Sequence, residues 1–115
     1  LDLFAGTNDY AAAKRGRTAS HKEINRTSLS LADIEHGLQR DIVKDQIKLI
    51  RLRNTSPAFR GALTVHASNK SDLRISWKHP QATATLKADL AGHGFTVTQD
   101  DGSGEQVLMT FASRN

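Results

Sequence analysis

Hydrophobic and polar positions along this chain change period once, and the change divides it. Before about residue 60 the apolar residues recur at helical spacing. Leu31, Ile34 and Leu38 form one stripe. Ile42, Val43, Ile47, Leu49, Ile50 and Leu52 form a broader one, with Lys44, Asp45, Lys48, Arg51 and Arg53 on most of the remaining positions. A stripe this wide is that of a helix packed on a sheet rather than one lying alone in solvent. After Gly61 the period falls to two. Leu63, Val65 and Ala67 alternate with polar residues, as do Leu73, Ile75 and Trp77, the run Ala82 to Ala88, Phe95 with Val97, and Val107, Met109 and Phe111. Five short antiparallel strands follow from this spacing, as in a small β-sandwich or half-sandwich with one apolar face.

The punctuation agrees. Ser30 is a good N-cap, with Asp33 three residues on as a weaker capping-box partner. Gly37 weakens the helix that follows, and Arg40-Asp41 reads as a break with a fresh cap at Asp41. Asn54-Thr55-Ser56-Pro57 stops the second helix, because proline cannot continue one. Upstream, Leu1 to Phe4 reads as the end of a strand. Ala5-Gly6-Thr7-Asn8-Asp9 is a turn, and Asn8 or Asp9 caps a short helix from Tyr10 to Lys14. Arg15 to Ser20 shows no periodicity and reads as loop. Asn69 to Asp72, His79-Pro80-Gln81, Gly92-His93-Gly94 and Asp100 to Gly104 are the turns of the β half. The fold class is α+β, helices first and strands after. The helical half has too few elements to close its own core, so its broad face needs a partner.

Composition narrows the possibilities. The chain has 115 residues, 37% of them hydrophobic, 24% charged and 5% aromatic, which fits about one soluble domain. No apolar run approaches the ~20 residues of a membrane span, and no basic leader precedes the short apolar start. The absence of cysteine excludes disulfides and thiolate metal sites and suits a reducing, cytoplasmic compartment. The first residue is Leu1, not Met, so the expectation is a piece of a longer polypeptide. Net charge is +4, and it is uneven. Residues 1–62 carry eleven Lys/Arg against seven Asp/Glu, whereas residues 63–115 carry five of each.

Catalytic chemistry is hard to nominate. Gly92-His93-Gly94 and Gly102-Ser103-Gly104 lack the following helix and lysine of a phosphate loop and read as hairpin turns. His21, His36, His66, His79 and His93 have no metal-ligand spacing. No pair of carboxylates stands out as acid and nucleophile. What remains is His21-Lys22-Glu23-Ile24-Asn25-Arg26-Thr27, a polar run pinned by one apolar residue, Ile24. Arg26 there is either a surface arginine or a guanidinium fork aimed at carboxylates, phosphates or sugar hydroxyls.

Taken in order, Ala5-Gly6-Thr7-Asn8-Asp9, Glu23-Ile24-Asn25-Arg26, Ile34-Glu35, Val43-Lys44, Leu49-Ile50-Arg51-Leu52-Arg53-Asn54 and Pro57-Ala58-Phe59 resemble the C-terminal part of the sucrose phosphorylases. These are retaining α-glucoside phosphorylases of the α-amylase superfamily. The likeness is strong over residues 3–62 and holds by position and type beyond. It implies that residues 1–62 are the last loop and helices of a (β/α)8 barrel and residues 63–115 a small antiparallel C-terminal β domain. It implies an aspartate nucleophile and a glutamate acid/base upstream of this chain, a β-glucosyl-enzyme intermediate, and attack on it by phosphate. By the same resemblance Arg26 helps to fix the glucosyl unit in the donor subsite, and its neighbour Asn25 holds the loop. No cofactor or metal is implied. The partners are sucrose or a related α-glucoside, inorganic phosphate and the rest of the polypeptide, with a homodimer left open and no membrane.

Four positions depart from the family pattern. Thr27 stands where histidine is usual, Asp41 where a proline commonly starts the last helix, and Ser28 and Leu29 where tyrosines are common. They bear on the acceptor, leaving fructose, glycerol and glycerate open. A hydrolase or transglucosidase of the same superfamily is the nearest alternative. A nucleic-acid-binding module is the alternative of another class, drawn from the basic first half. It is disfavoured because acids alternate with the bases and no aromatic platform accompanies them.

Overall fold

The computed structural model describes residues 3, 4, 6–15 and 28–112. The chain forms two compact units, Leu1–Leu52 and Arg53–Asn115, taken here in turn.

The first unit is helical. Helix α1, Tyr10–Arg15, begins behind Asp9, whose Oδ1 accepts from the Ala11 backbone N–H at 3.0 Å and satisfies one orphan donor of the first turn. Helix α2, Leu31–Gln39, starts from a full capping box. Ser30 Oγ accepts from the Asp33 N–H at 3.1 Å, and Asp33 Oδ2 accepts from the Ser30 N–H at 2.9 Å and from its hydroxyl at 2.6 Å. These bonds favour the ionised carboxylate. They hold Asp33 below the ordinary carboxylate range, the Ser30 hydroxyl contributing most.

Helix α3, Asp41–Thr55, follows after a single residue. Asp41 is its first helical residue rather than its cap. Arg40 is extended, and its carbonyl accepts from Val43 and Lys44 at 3.1 and 3.0 Å. The two helices therefore share one residue as the end of the first and the start of the second.

The expected stripes are only partly inward. Val43 is fully buried, and Ile47, Leu49 and Leu52 are half-buried. Ile42 and Ile50 are about half exposed, at 50% and 51%, and Leu31 is 72% exposed. In α2 the buried residue is Gly37, not Leu38. A Cβ on Gly37 would run into the ring of Phe4, so the absent side chain is what lets that ring lie on the helix. Leu3 and Phe4 stand in a turn, not at the end of a strand.

The second unit is a single five-stranded antiparallel meander, with strands neighbouring in chain order: β1 Ala62–Val65, β2 Asp72–His79, β3 Ala82–Asp89, β4 Gly94–Asp100 and β5 Glu105–Phe111. It is one sheet, so the two-layer sandwich is not formed. A 3-10 turn, Pro57–Arg60, precedes it. Pro57 stands at the start of that turn, where its fixed φ and missing N–H cost nothing, and the buried Ser56 caps it, accepting from the Ala58 N–H at 3.3 Å. The core is small: Ala58 on the turn, Ala82 and Ala84 on β3, with Phe59 and Trp77 against them. Phe59 and Trp77 lie 4.9 Å apart between centroids and tilted by 53°. Arg53 places its guanidinium 6.0 Å from the Phe59 ring centre.

Register gives the sheet its two faces. Leu63 is opposite Trp77, Ile75 opposite Leu86, Leu86 opposite Val97, and Val97 opposite Met109. Ser76 faces Thr85, and Thr85 faces Thr98. A shift in the β4–β5 ladder at Val97/Thr98 moves Val107 opposite Thr98, onto the hydroxyl-bearing face. That bulge is why the simple alternation expected for Val107, Met109 and Phe111 fails at its first member.

Three of the four turns are tied by a short polar side chain, and the fourth by His79, whose Nδ1 accepts from the Gln81 N–H at 3.2 Å. Asn69 Oδ1 accepts from Ser71 and Asp72, Asp89 Oδ1 from Ala91 and Gly92, and Asp100 Oδ1 from Gly102. Gly102 and Gly104 take positive φ, 97° and 119°, which only glycine adopts at little cost.

Candidate functional site

The residues nominated for substrate, Asn25 and Arg26, lie outside the described residues. So do Ile24 and the rest of the polar run around them. The structure does describe the frame on either side.

Before that segment, Leu3 and Phe4 are held by the helices that come after it. Arg40 donates from Nη1 to the Phe4 carbonyl, and Gln46 donates from Nε2 to the Leu3 carbonyl at 3.0 Å. The Phe4 ring covers Gly37. After the segment, Ser28, Leu29 and Ser30 are exposed and lead into the capping box of α2. Leu3 and Phe4 are thus tied to α2 and the start of α3, and Ser30 caps α2. Sequence reasoning missed this frame. Gly37 looked only like a weak point in a helix, and Arg40 only like a break. The family-like order of motifs signalled that the segment mattered, but no periodicity links Phe4 to a glycine 33 residues later.

Elsewhere the chemistry is structural. An open cleft of about 750 Å³ on the sheet is bordered by Asp72, Arg74, Lys87, Asp89, Phe95 and Phe111. Its carboxylates are occupied with turns: Asp89 accepts from two backbone N–H groups, and Asp72 from Asn69 Nδ2. Phe95 and Phe111 stack across β4 and β5, 5.9 Å apart. His66 Nε2 meets Ser76 Oγ at 2.9 Å, and Ser76 meets Thr85 Oγ1 at 3.2 Å, on the sheet face that also carries Arg74 and Lys87. Among the described residues no group of three or more His, Asp or Glu is placed to hold a metal ion. No described helix is long and apolar enough to cross a membrane.

Comparison with known proteins gives this frame its setting. Over 108 residues, 94% of this chain, the sequence is 49% identical to a sucrose 6(F)-phosphate phosphorylase of Ilumatobacter coccineus. It is 35% identical over 107 residues to a protein of the same name from Thermoanaerobacterium thermosaccharolyticum. The chain is homologous to the sucrose phosphorylases. It spans about a fifth of the length of these relatives, 21% and 22%. The fold agrees: the crystal structure of sucrose 6F-phosphate phosphorylase from Thermoanaerobacter thermosaccharolyticum superposes with a TM-score of 0.80 at 31% identity, covering 97% of this chain and 22% of that one. Helices followed by an antiparallel sheet are therefore the arrangement of a portion of a sucrose phosphorylase. No family model matches the chain.

Proposed function

We propose that this chain is the C-terminal portion of a retaining α-glucoside phosphorylase. Residues 1–62 supply the last loop and helices of the catalytic (β/α)8 barrel, and residues 63–115 supply the C-terminal β domain. The observation that carries this reading is the sequence relationship to phosphorylases along nearly the whole chain, joined to the order of motifs from Ala5 to Phe59. In such an enzyme an aspartate displaces the leaving sugar and forms a β-glucosyl ester. A glutamate protonates the leaving oxygen, and phosphate then attacks the ester to release α-glucose 1-phosphate. Both carboxylates belong to the part of the protein outside this chain, so the portion alone is inactive. Arg26 donates its guanidinium fork to the glucosyl unit in the donor subsite, and Asn25 keeps the loop that carries it in shape.

The acceptor side follows the relatives named for it. We assign sucrose phosphorylated on the fructosyl 6-position as the preferred donor, with fructose 6-phosphate leaving. The excess of basic residues in 1–62 and the replacement of the usual histidine and tyrosines by Thr27, Ser28 and Leu29 support an acceptor other than plain fructose. The enzyme works in the cytoplasm, where phosphorylated sugars are available.

The test is the full-length protein with inorganic phosphate and either sucrose or sucrose 6F-phosphate, following α-glucose 1-phosphate. Release faster from the phosphorylated sugar is expected. Release from plain sucrose or glucosylglycerol alone reassigns the acceptor, and hydrolysis without phosphorolysis rejects the class. Arg26→Ala in that protein removes a charge-assisted contact worth about 1.5–3 kcal/mol, and turnover falls roughly ten- to a hundredfold. Unchanged kinetics would take Arg26 out of the site.

A further inference from the structure

On one face of the sheet two cations stand directly opposite each other. Register places Arg74 of β2 across from Lys87 of β3, and both residues are exposed. Like charges in directly opposed positions destabilise a strand pair. Neither side chain has a hydrogen bond or ion pair among the described residues. The carboxylates one row nearer the turns, Asp72 and Asp89, also face each other and are taken up elsewhere. Asp72 accepts from Asn69 Nδ2, and Asp89 accepts from the Ala91 and Gly92 N–H groups. On the other side of the cation row stand two hydroxyls, Ser76 opposite Thr85, both half-buried. Ser76 Oγ lies 2.9 Å from His66 Nε2 and 3.2 Å from Thr85 Oγ1, so the three form a short hydrogen-bonded chain. His66 is itself beside Arg74, its backbone N–H donating to the Arg74 carbonyl at 2.9 Å.

We propose that Arg74, Lys87, Ser76 and Thr85 form a surface site for one phosphate group, free or as a monoester. The four corners suit that group. Opposed side chains on one face stand about 5 Å apart at Cβ, and next-but-one residues on a strand about 7 Å apart. A tetrahedral dianion seated among them meets the guanidinium fork, which pairs with two of its oxygens, and the ammonium as a point charge. Two cations balance a dianion, whereas a carboxylate brings half that charge and only two oxygens. The hydroxyl chain can run in either direction. With His66 donating to Ser76 and Ser76 to Thr85, the Thr85 hydrogen is left to point at the anion, and a bound phosphate holds the chain that way round. Asp72 and Asp89 set the boundary on one side. The patch offers one cation pair and then two carboxylates, not the run of cations that a polyanion follows.

The experiment uses the full-length protein in a buffer free of phosphate. Lys87 is acetylated with an amine-specific reagent, and its rate is read by peptide mass spectrometry. Inorganic phosphate and glycerol 2-phosphate are added in separate arms, with sodium chloride at matched ionic strength in a third. Phosphate in either form should slow acetylation of Lys87 roughly threefold at about twice its dissociation constant, as mass action requires. The two arms tell whether the group is taken free, as a monoester or as both. Lys78, on the same strand and face but two rows from Arg74, should react at an unchanged rate. Arg74→Gln should abolish the protection, and Arg74→Lys, which keeps the charge but not the fork, should retain part of it. Thr85→Val, which removes the hydroxyl at the end of the chain, should weaken it. No protection in either phosphate arm overturns the proposal. So does equal protection by chloride or of Lys78, which is general screening. Lys87 reports directly, so the outcome does not depend on whether the protein performs phosphorolysis.

Discussion

The helical unit and the sheet unit are organised by opposite means. In the sheet each strand pairs with the strand next to it in sequence, and each turn is closed by a side chain within a few residues. Nearly every contact that defines the meander is therefore written locally, which lowers the entropy cost of closing it. The helical unit has few such contacts beyond its caps. Its turn at Leu3–Phe4 is held by Arg40 and Gln46 across 36 and 43 residues, and by a ring seated on a glycine. A repeated local pattern builds a scaffold. A few distant contacts decide where a particular segment of chain must be.

Within the sheet unit the most sensitive point should be Gly61, between the 3-10 turn and β1. A Cβ there would strike the Lys78 carbonyl and come within 2.6 Å of the His79 nitrogen, and backbone cannot rotate aside as a side chain can. Gly61→Ala should cost about 3 kcal/mol, read from chemical denaturation followed by Trp77 fluorescence. A loss below about 0.5 kcal/mol would mean that the strands, not this close approach, set where β1 starts.

Ser56→Ala comes next. Ser56 is 8% exposed, and its hydroxyl donates to Gln99 Oε1 at 2.6 Å while accepting from Ala58. Removing it leaves both partners short of a bond, a loss of about 2 kcal/mol by the same measurement. The bond to Gln99 spans 43 residues, so an effect near zero would sharpen the contrast, leaving the turns and neighbouring-strand pairs to hold the sheet.

Ser30→Ala should cost about 1 kcal/mol, confined to the first turn of α2 and visible as faster amide exchange there. Global unfolding in its place would show that the cap carries the whole helical unit.

The smallest effect is that of pH. Asp33 and Asp101 are both held below the ordinary carboxylate value of 3.8, chiefly by the hydroxyls of Ser30 and Ser103. A lowered folded value means that each contribution is complete above 3.8 and disappears as pH falls through the lower folded value. Exchange in the first turn of α2 and in the Asp100–Gly104 turn should therefore rise on acidification through that window. Asp33→Asn should remove the response in α2 alone. A response that begins well above the ordinary carboxylate range would assign it to another group.

How much was legible follows the same division. The change of period at Gly61, the five strands, the capping Ser30 and the turn residues could be read directly, because each depends on residues within a few positions of one another. Val107 could not be placed. A bulge shifts its register, and that shift reflects how two strands fit rather than which residues alternate. The outward positions of Leu31, Ile42 and Ile50 were equally hidden, since a stripe tells which residues can be buried and not which are. The family likeness, carried by Ala5 to Asp9, Glu23 to Arg26 and the later motifs, was legible as an order of short segments, and the homology to sucrose phosphorylases agrees with it.

By itself, the sequence determined the order of helices and strands, the caps and turns, and the candidate Arg26, all of them matters of local spacing and residue type. Tertiary structure alone decided that Gly37 is a seat for Phe4, that Arg40 and Gln46 tie Leu3 and Phe4, and that Gly61 lies against Lys78. The physical reason is the same in each case. Those contacts join residues too far apart for any period to link them, and they depend on space that a missing side chain leaves open.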